Sequence, residues 1–462
     1  MEEDKVEFGK REIGFVAGIL SAIIIWNLNL EGISVEGQKC LALSLMTVVF
    51  WATQIAHPGF VSGIYLISLV LFDVAPATSI FALWTQDTIY LIIGAYLIAG
   101  AVQSSGLGER IAYKLILRNV RDWQSFILTI FVLTFILSVF IPHPWPRSLM
   151  IMSVVAVVFK SAKLIKEDAA KIGFVVFACS VPISLILLTG DSVINIMVVE
   201  FSGVELSWLG WFMHMGVPSI IASIITYFLI LILFKQEGEF NIDLEEIKNK
   251  LAELGPMSRT EKKVFVWIIL AIILWMTDSI HGIALGWVTL LIAMAMALPV
   301  IGDILTPKDW EEVPVHVLLF LTASISIGRI GGLTGMNGWI ATFLLPSSMP
   351  ANPVLLGLII AVIGVSLHMI LGSVIAVMGV AIPALLTITA NTDINPLVPT
   401  LFGYAAIAMH YIFPFHHLNI LIGLDEGGYT QRHVMKMGIP LTAVVFVISI
   451  VQAIWWQITG LL

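Results

Sequence analysis

The sequence predicts an all-α polytopic membrane protein made of two inverted-topology repeats, each with a re-entrant hairpin and an interrupted helix. Three observations lead there: an apolar composition, a spacing of Lys and Arg that fixes crossing parity, and short stretches that recur in both halves. Of 462 residues, 59% are hydrophobic and 12% charged, with a mean hydropathy of +1.00. Soluble domains of this size carry about twice that charge. Uncharged runs such as 124–141 and 438–462 match the length that a hydrocarbon core of about 30 Å asks of a helix.

The formal charge of −8 comes largely from carboxylates clustered at 1–12 and 236–261, so it describes tails and loops and gives no reason to expect a nucleic-acid partner. Cys40 and Cys179 lie in apolar stretches without partner spacing and are read as packing residues, with no disulfide, metal or resident cofactor.

Lys5, Lys10 and Arg11 place the N-terminus in the cytoplasm, and the acidic start runs into a retained first span at 13–30 with no small-residue cleavage site. Spans near 41–56, 60–74 and 85–105 return the chain inside at 106–122, which carries Arg110, Lys114, Arg118 and Arg121. Lys160, Lys163, Lys166 and Lys171 are also read as cytoplasmic, so 123–159 must cross an even number of times. Its second leg, 148–159, is about 18 Å long at 1.5 Å per residue. The tip, Pro142-His143-Pro144-Trp145-Pro146-Arg147, holds three prolines that cannot continue a helix. The economical reading is a re-entrant hairpin with its tip buried in protein; the alternative is two spans and a short external loop. A span at 172–188, an irregular stretch at 189–210 and a span at 211–234 lead to the polar segment 235–263, read as a cytoplasmic linker.

Continuing the parity, spans at 264–280, 284–300 and 315–334 put 335–352 outside, where there is no Lys or Arg. A second hairpin over 353–390 then enters from outside, with its tip at His368-Met369-Ile370-Leu371-Gly372-Ser373. The organisation expected is thus a tail and first span (1–39), a first repeat (40–234), the linker (235–263) and a second, inverted repeat (264–462). Recurring stretches support it. Ser104-Ser105-Gly106-Leu107-Gly108-Glu109-Arg110-Ile111-Ala112 resembles Leu333-Thr334-Gly335-Met336-Asn337-Gly338-Trp339-Ile340-Ala341. Met213-His214-Met215-Gly216-Val217-Pro218 matches Met435-Lys436-Met437-Gly438-Ile439-Pro440, each downstream of an Asn-Ile pair (Asn195-Ile196, Asn419-Ile420). Inverted repeats with paired interrupted helices point to alternating access around a midplane site.

This order of features, over most of 40–458, resembles the divalent anion/sodium symporter family of the wider ion transporter superfamily. The resemblance rests on the turns GLGERIA and TGMNGWIA, one hairpin per half, the blocks LLTGDSVIN and FPFHHLN, which are similar to the family's Gly-Thr-Pro-Pro-Asn blocks, and the closing GLDEGGYTQRHVMKMGIP. Asn195 and Asn419 match the block asparagines and Gly190 the first block's glycine. The family's Ser-Asn-Thr signature is absent from both tips, which read His-Pro-Trp-Pro-Arg and Met-Ile-Leu-Gly-Ser. The resemblance implies an elevator-like motion, a homodimer, and tips that contact carboxylate and sodium.

Arg147 and Arg329 are read as the basic side chains placed inside otherwise apolar segments. An intramembrane arginine is costly enough to suggest a task, and its fork suits a carboxylate, sulfonate or phosphonate. Arg147 is read as a substrate contact or a partner of Asp191, and Arg329 as snorkelling or structurally paired. His143, His368, His410, His416 and His417 fall at breaks or span ends, and imidazole exchanges protons near neutral pH. His416-His417 points adjacent side chains apart, so a metal site is not expected. Asp191, beside Gly190, can hold a cation, relay a proton or neutralise Arg147. The expected substrate site comprises His143, Pro144, Arg147 and Ser148 at the first tip, Thr189, Gly190 and Asn195 in the first block, Gly372 and Ser373 at the second tip, and His416, His417 and Asn419 in the second block. Asp191, His143 and His368 are the expected coupling groups. Ser192 adds a further hydroxyl, and Trp145 and Phe415 are read as packing.

Together these residues describe a multi-pass plasma-membrane secondary transporter. It moves a small anion, a dicarboxylate, sulfate or related oxyanion, by alternating access, as an exchanger or coupled to Na+ or H+. An intramembrane enzyme or an ion channel is the rival reading; no nucleophile or metal motif supports the first, and the second needs a continuous polar pore.

Overall fold

The computed structural model describes residues 9–240, 244–344, 350–372, 374–389 and 392–462, and every regular element among them is a helix. Among the described residues, six helices are long and apolar enough to cross a bilayer: Asp87–Ser105, Trp123–Phe140, Trp208–Leu233, Val315–Leu333, Pro353–Leu371 and Gln431–Thr459. Apolar helices of this kind are the form in which a chain satisfies its own backbone away from water.

The two halves run through their elements in the same order. In the first, Asp87–Ser105 leads into Leu107–Asn119, the hairpin Trp123–Phe140 and Pro144–Ser161, the pair Lys166–Ser184 and Ile194–Ser202, and then Trp208–Leu233. In the second, Val315–Leu333 leads into Met336–Leu344, the hairpin Pro353–Leu371 and Val374–Thr389, the pair Leu397–Met409 and Leu418–Glu426, and then Gln431–Thr459. The recurring Gly turns have a backbone reason. Gly106 (φ 78°) and Gly335 (φ 77°) both take the left-handed conformation that ends a long helix and starts the next, at little cost only for glycine.

The halves also exchange partners reciprocally. Pro58–Leu71 packs on Val315–Leu333 while Leu285–Ala297 packs on Asp87–Ser105, and Ile194–Ser202 lies against Leu397–Met409 while Leu418–Glu426 lies against Lys166–Ser184. Glycines set both outer contacts. A Cβ on Gly59 would come within 2.7 Å of His316 Cβ, and one on Gly286 would run into the Asp87 carbonyl. Each glycine is the second residue of its short helix and meets the first turn of the long helix in the other half.

Three expectations change. The second leg of the first hairpin is not 12 residues but 18, Pro144–Ser161, about 27 Å at 1.5 Å per residue, so length is no argument for re-entry. The prolines of the tip do not interrupt it. Pro144 and Pro146 occupy the first turn, where no backbone N–H is needed, and His143 caps it by accepting from Trp145 N at 3.3 Å. The stretch 189–210 is not irregular throughout, since it contains the helix Ile194–Ser202, closed by Gly203 in the left-handed conformation. The second hairpin turns at Gly372 (φ 66°), as expected; Ser373 lies outside the described residues.

The Met-X-Met-Gly-X-Pro stretch behaves differently in the two halves. In the first, Phe212–Gly216 winds as one π turn ahead of Pro218. Proline cannot donate to the carbonyl four residues back, and that carbonyl, of His214, accepts instead from Trp456 Nε1 at 2.8 Å, with Trp455 Nε1 on Met213 O at 2.7 Å. The second copy continues through Pro440 as one helix. There, a Cβ on Gly438 would collide with the Tyr411 carbonyl, so this glycine lets the last helix approach the second break.

The segment between the halves is clamped by charge. Arg110 bonds Glu261 twice, Nε to Oε1 at 2.5 Å and Nη2 to Oε2 at 3.1 Å, and also holds the Gly255 and Leu254 carbonyls at 2.8 and 3.1 Å. Burial alone would raise the Glu261 carboxyl, but bonds from Arg110 and the Ser258 N–H outweigh it and hold the group below its ordinary value. Because the folded value is the lower one, this stabilisation is complete above the usual carboxylate range and fades as pH falls through it. Removing one partner of a buried pair costs about 3–5 kcal/mol. Glu261→Ala is therefore expected to lower Tm clearly in nanodiscs, whereas Lys250→Ala, which breaks an exposed pair with Glu253, changes stability by less than about 1 kcal/mol.

Candidate functional site

Two broken helices meet at the interface of the halves, and the site is built from the groups that repair the breaks. Lys166–Ser184 carries Pro182 in its last turn and gives way to Leu185. A 3-10 turn, Leu188–Asp191, follows before Ile194–Ser202 begins. Asp191 Oδ1 caps that helix, accepting from Val193 N and Ile194 N at 3.1 and 3.2 Å. The released carbonyls are claimed by side chains. Asn195 Nδ2 donates to Ser184 O and Leu187 O, both at 2.9 Å, and Leu188 O at 3.2 Å. Gly190 sits so close to the Ser184 carbonyl that a Cβ there would lie 2.5 Å from it.

Arg147 is fully buried and is also occupied by this repair. Nη1 donates to Ile141 O and Gly190 O at 3.2 and 3.1 Å, and Nη2 to the Ser180 and Ser184 hydroxyls at 3.0 and 2.7 Å. Its partners are neutral, and Asp191 is not among them; only Nε lacks a partner. The arginine thus pins the first hairpin tip to the first break. Ser192 N adds a bond to Pro142 O at 2.9 Å. His143 lies beside Tyr96, ring centroids 5.3 Å apart, and Thr189 Oγ1 accepts from Trp208 Nε1 at 3.2 Å.

The second break runs from His410 to His417, with a 3-10 turn at Pro414–His416. The asparagines tie each break to the opposite half. Asn195 Oδ1 accepts from the Tyr404 hydroxyl of Leu397–Met409, and Asn419 Nδ2 donates to Phe177 O of Lys166–Ser184 at 3.0 Å and to Ser148 Oγ at 3.3 Å. Gly372 packs the second tip against Phe415; an added Cβ would lie 2.9 Å from the ring. His368, on the last turn before Gly372, joins His410 and His416 in a buried group.

The structure therefore brings together Arg147, Ser148, Thr189, Gly190, Asp191 and Asn195 around one break and Gly372, His368, His416, His417 and Asn419 around the other. At the two breaks, the buried side-chain atoms left without a hydrogen-bond partner among the described residues include Arg147 Nε, Ser192 Oγ, Asn419 Oδ1, His417 Nδ1, His410 Nε2, His416 Nε2 and Tyr411 Oη. Arg329 is exposed and stands apart. Trp145 and Phe415 are partly exposed, and Phe415 stacks on Phe413 at 5.4 Å. Sequence reading missed Tyr404, Ser180 and Ser184. A lone tyrosine in an apolar helix, and two serines one turn apart beside a proline, are the signals that mark them. A groove of about 380 Å³ lined by Phe131, Ile183, Ile186, Ile220 and Tyr227 among others is apolar and touches the first break only through Ile183 and Ile186.

A helical, membrane-spanning protein whose polar residues converge on two facing breaks belongs to the class of transport proteins. The chain matches the family described as the sodium:sulfate symporter transmembrane region over residues 10–462, and it belongs to that family. It is 22% identical to the sodium-dependent dicarboxylate transporter SdcS of Staphylococcus saprophyticus, covering 99% of this chain and 95% of that protein. It is 23% identical to a membrane protein of Cupriavidus necator over 97% and 93%, and to the putative malate transporter YflS of Bacillus subtilis over 69% of each. The chain is thus a multi-pass membrane transporter of a small anion and not an enzyme.

The repair of the first break predicts its own sensitivity. Asn195→Ala leaves three carbonyls without that donor, each worth about 1–3 kcal/mol when stranded, and should lower thermal stability well below that of Tyr404→Phe, which strands only Asn195 Oδ1.

Proposed function

We propose that this protein is a secondary active transporter of a small divalent oxyanion, a dicarboxylate or sulfate, working by alternating access and drawing on a cation gradient. The observation that carries this reading is the meeting of two broken helices, each bonded through its asparagine to the other half. Ile194–Ser202 and Leu418–Glu426 both begin at the interface, and helix N-termini present unpaired N–H groups and partial positive charge to an anion. The printed names of two relatives, a sodium-dependent dicarboxylate transporter and a putative malate transporter, support the substrate class, and the first supports sodium as a coupling ion.

The reciprocal packing of the halves supports their being repeats over 40–234 and 264–462, and the spacing of Lys and Arg supports their inversion, 235–263 as a cytoplasmic linker and the N-terminus inside, in the plasma membrane. In this reading His143, Ser148, Thr189 and His417 offer the anion neutral donors, Asn419 holds the second break to Phe177 O and Ser148 Oγ, and Asp191 stands beside them as a coupling group. Arg147 acts by holding the hairpin tip, and through Nε. A homodimer follows from the family resemblance. Because these groups are nearly all buried, the described state is closed, and an anion enters only when the hairpins and breaks shift.

The test is uptake of radiolabelled succinate, malate and sulfate by proteoliposomes under sodium or proton gradients. Accumulation above equilibrium of at least one of them is expected, and Asn419→Ala, which unties the second break from Phe177 O and Ser148 Oγ, should weaken it by about tenfold or more. Uptake of none of the three under either gradient would end this reading.

A further inference from the structure

The second break holds three fully buried imidazoles, those of His368, His410 and His416. Their ring centroids are 5.0 Å apart for His368 and His416, 5.2 Å for His368 and His410, and 5.5 Å for His410 and His416. They come from three elements: the last turn of Pro353–Leu371, the end of Leu397–Met409 and the 3-10 turn that follows.

The hydrogen bonds around them determine where hydrogens sit. His368 Nε2 lies 3.0 Å from the His416 carbonyl, which only accepts, so this nitrogen carries hydrogen and neutral His368 keeps a lone pair on Nδ1. His416 Nδ1 accepts from Ile412 N at 3.1 Å, so neutral His416 carries its hydrogen on Nε2. His410 Nδ1 and His368 Nδ1 are 3.3 Å apart. Since His368 offers the lone pair there, His410 supplies the hydrogen, and neutral His410 keeps a bare Nε2. That Nε2 is buried with no partner among the described residues, as is the Nε2–H of His416.

One more proton therefore has one place to appear. It binds His410 Nε2 directly, or it binds the Nδ1–Nδ1 bridge and shifts the tautomer of His410. In both cases the new hydrogen stands on His410 Nε2, and the charge is shared across the pair as one coupled titration. A proton on His416 Nδ1 would instead break the bond to Ile412. The same accounting argues against a metal, since two of the three lone pairs already accept hydrogen bonds. Among the described residues no cluster of His, Cys, Asp and Glu is arranged to hold one. Hard cations prefer oxygen ligands, and these rings offer nitrogen.

Among the described residues no carboxylate or amine bonds the three rings. The other titratable groups around them are His417 and Tyr411 on the same break and Tyr404 on the preceding helix. Across the interface stand Cys179, Asp191, His143 and Arg147. Asp425 and Glu426 lie on the helix after the break, and Arg432, His433 and Lys436 on the packed Gln431–Thr459 helix.

We infer that the His368–His410 pair, read out at His410 Nε2 and bordered by the His416 Nε2–H, is a one-proton binding site that couples transport to the proton gradient. This rests on the transport reading above and adds a proton to the cations that drive it. The neutral site presents one donor, His416 Nε2–H; the protonated site presents two, with a positive charge, and favours an anion at the break. Full burial means the proton exchanges with water only when the break opens to one side.

The experiment has two arms. In nanodiscs, 15N-histidine NMR of the full chain from about pH 8 to about pH 5 should show neutral His368 and His416 hydrogen-bearing on Nε2 and neutral His410 on Nδ1. A hydrogen should then be gained at His410 Nε2. Wild-type protein alone decides this arm, with His410→Gln as the assignment control. In proteoliposomes at zero membrane potential, one proton per anion makes the accumulation ratio of succinate or sulfate change about tenfold per unit of pH gradient, and His410→Gln should abolish that dependence. Proton-driven uptake with His410 Nε2 bare throughout, or uptake in His410→Gln that still follows the pH gradient, overturns this inference and leaves the transport reading standing. Protonation at His410 with no uptake of any anion does the reverse: the proton site stands, and both transport and its coupling role fall.

Discussion

A helix broken inside a membrane protein releases carbonyls that water cannot reach, and each must find a donor within the protein. The side chains that this chain spends on the problem govern much of the rest of its structure. Asn195 covers three carbonyls of the first break, Arg147 covers the ends of the first hairpin leg and of the break itself, and Trp456 covers the carbonyl that Pro218 abandons. Because these donors come from different elements, repairing the backbone also fixes the elements against one another. The first hairpin, the first break and the last helix are held in place by the same bonds that make the breaks tolerable.

The same economy explains the interface between the halves. Helices that must approach backbone to backbone carry glycine at the crossing, as at Gly59, Gly286 and Gly438. The asparagine of each break reaches across to the other half, Asn195 to Tyr404 and Asn419 to Phe177. Neither break is complete without the opposite half, so a shift of one relative to the other changes the hydrogen bonding of both. A transporter needs a site whose bonding differs between its states, and this arrangement supplies one without adding charge.

Charge is otherwise placed with restraint. The Arg110–Glu261 pair and the Lys171–Asp168–Glu237 group tie down the segments that flank the membrane helices. Near the breaks, Arg147 is bonded to neutral groups, Asp191 serves as a helix cap, and the other bonding side chains are neutral ones of serine, threonine, asparagine, tyrosine and histidine. An isolated ion is expensive in such surroundings, and imidazole is the group that enters them neutral and becomes charged when a proton arrives.

Much of the architecture was legible in the sequence. Apolar runs can only be membrane helices, glycines at 106 and 335 mark turns that need a left-handed backbone, and the recurring stretches announce two halves of one plan. The two breaks were legible too, because proline, histidine and asparagine inside apolar segments mark them. The length of the second hairpin leg was not. Proline forbids helix interiors but fits a first turn, and the composition of the tip does not say which place it takes. Nor did the sequence determine what Arg147 does. An arginine at a tip fits an anion or a carboxylate such as Asp191 equally well on chemical grounds, and only the tertiary structure places its Nη atoms on Ile141 O, Gly190 O and the Ser180 and Ser184 hydroxyls. The grouping of His368, His410 and His416 was likewise decided by tertiary structure, since it joins rings from three elements, and the state of each ring follows from a partner distant in the chain or set by the fold of the break.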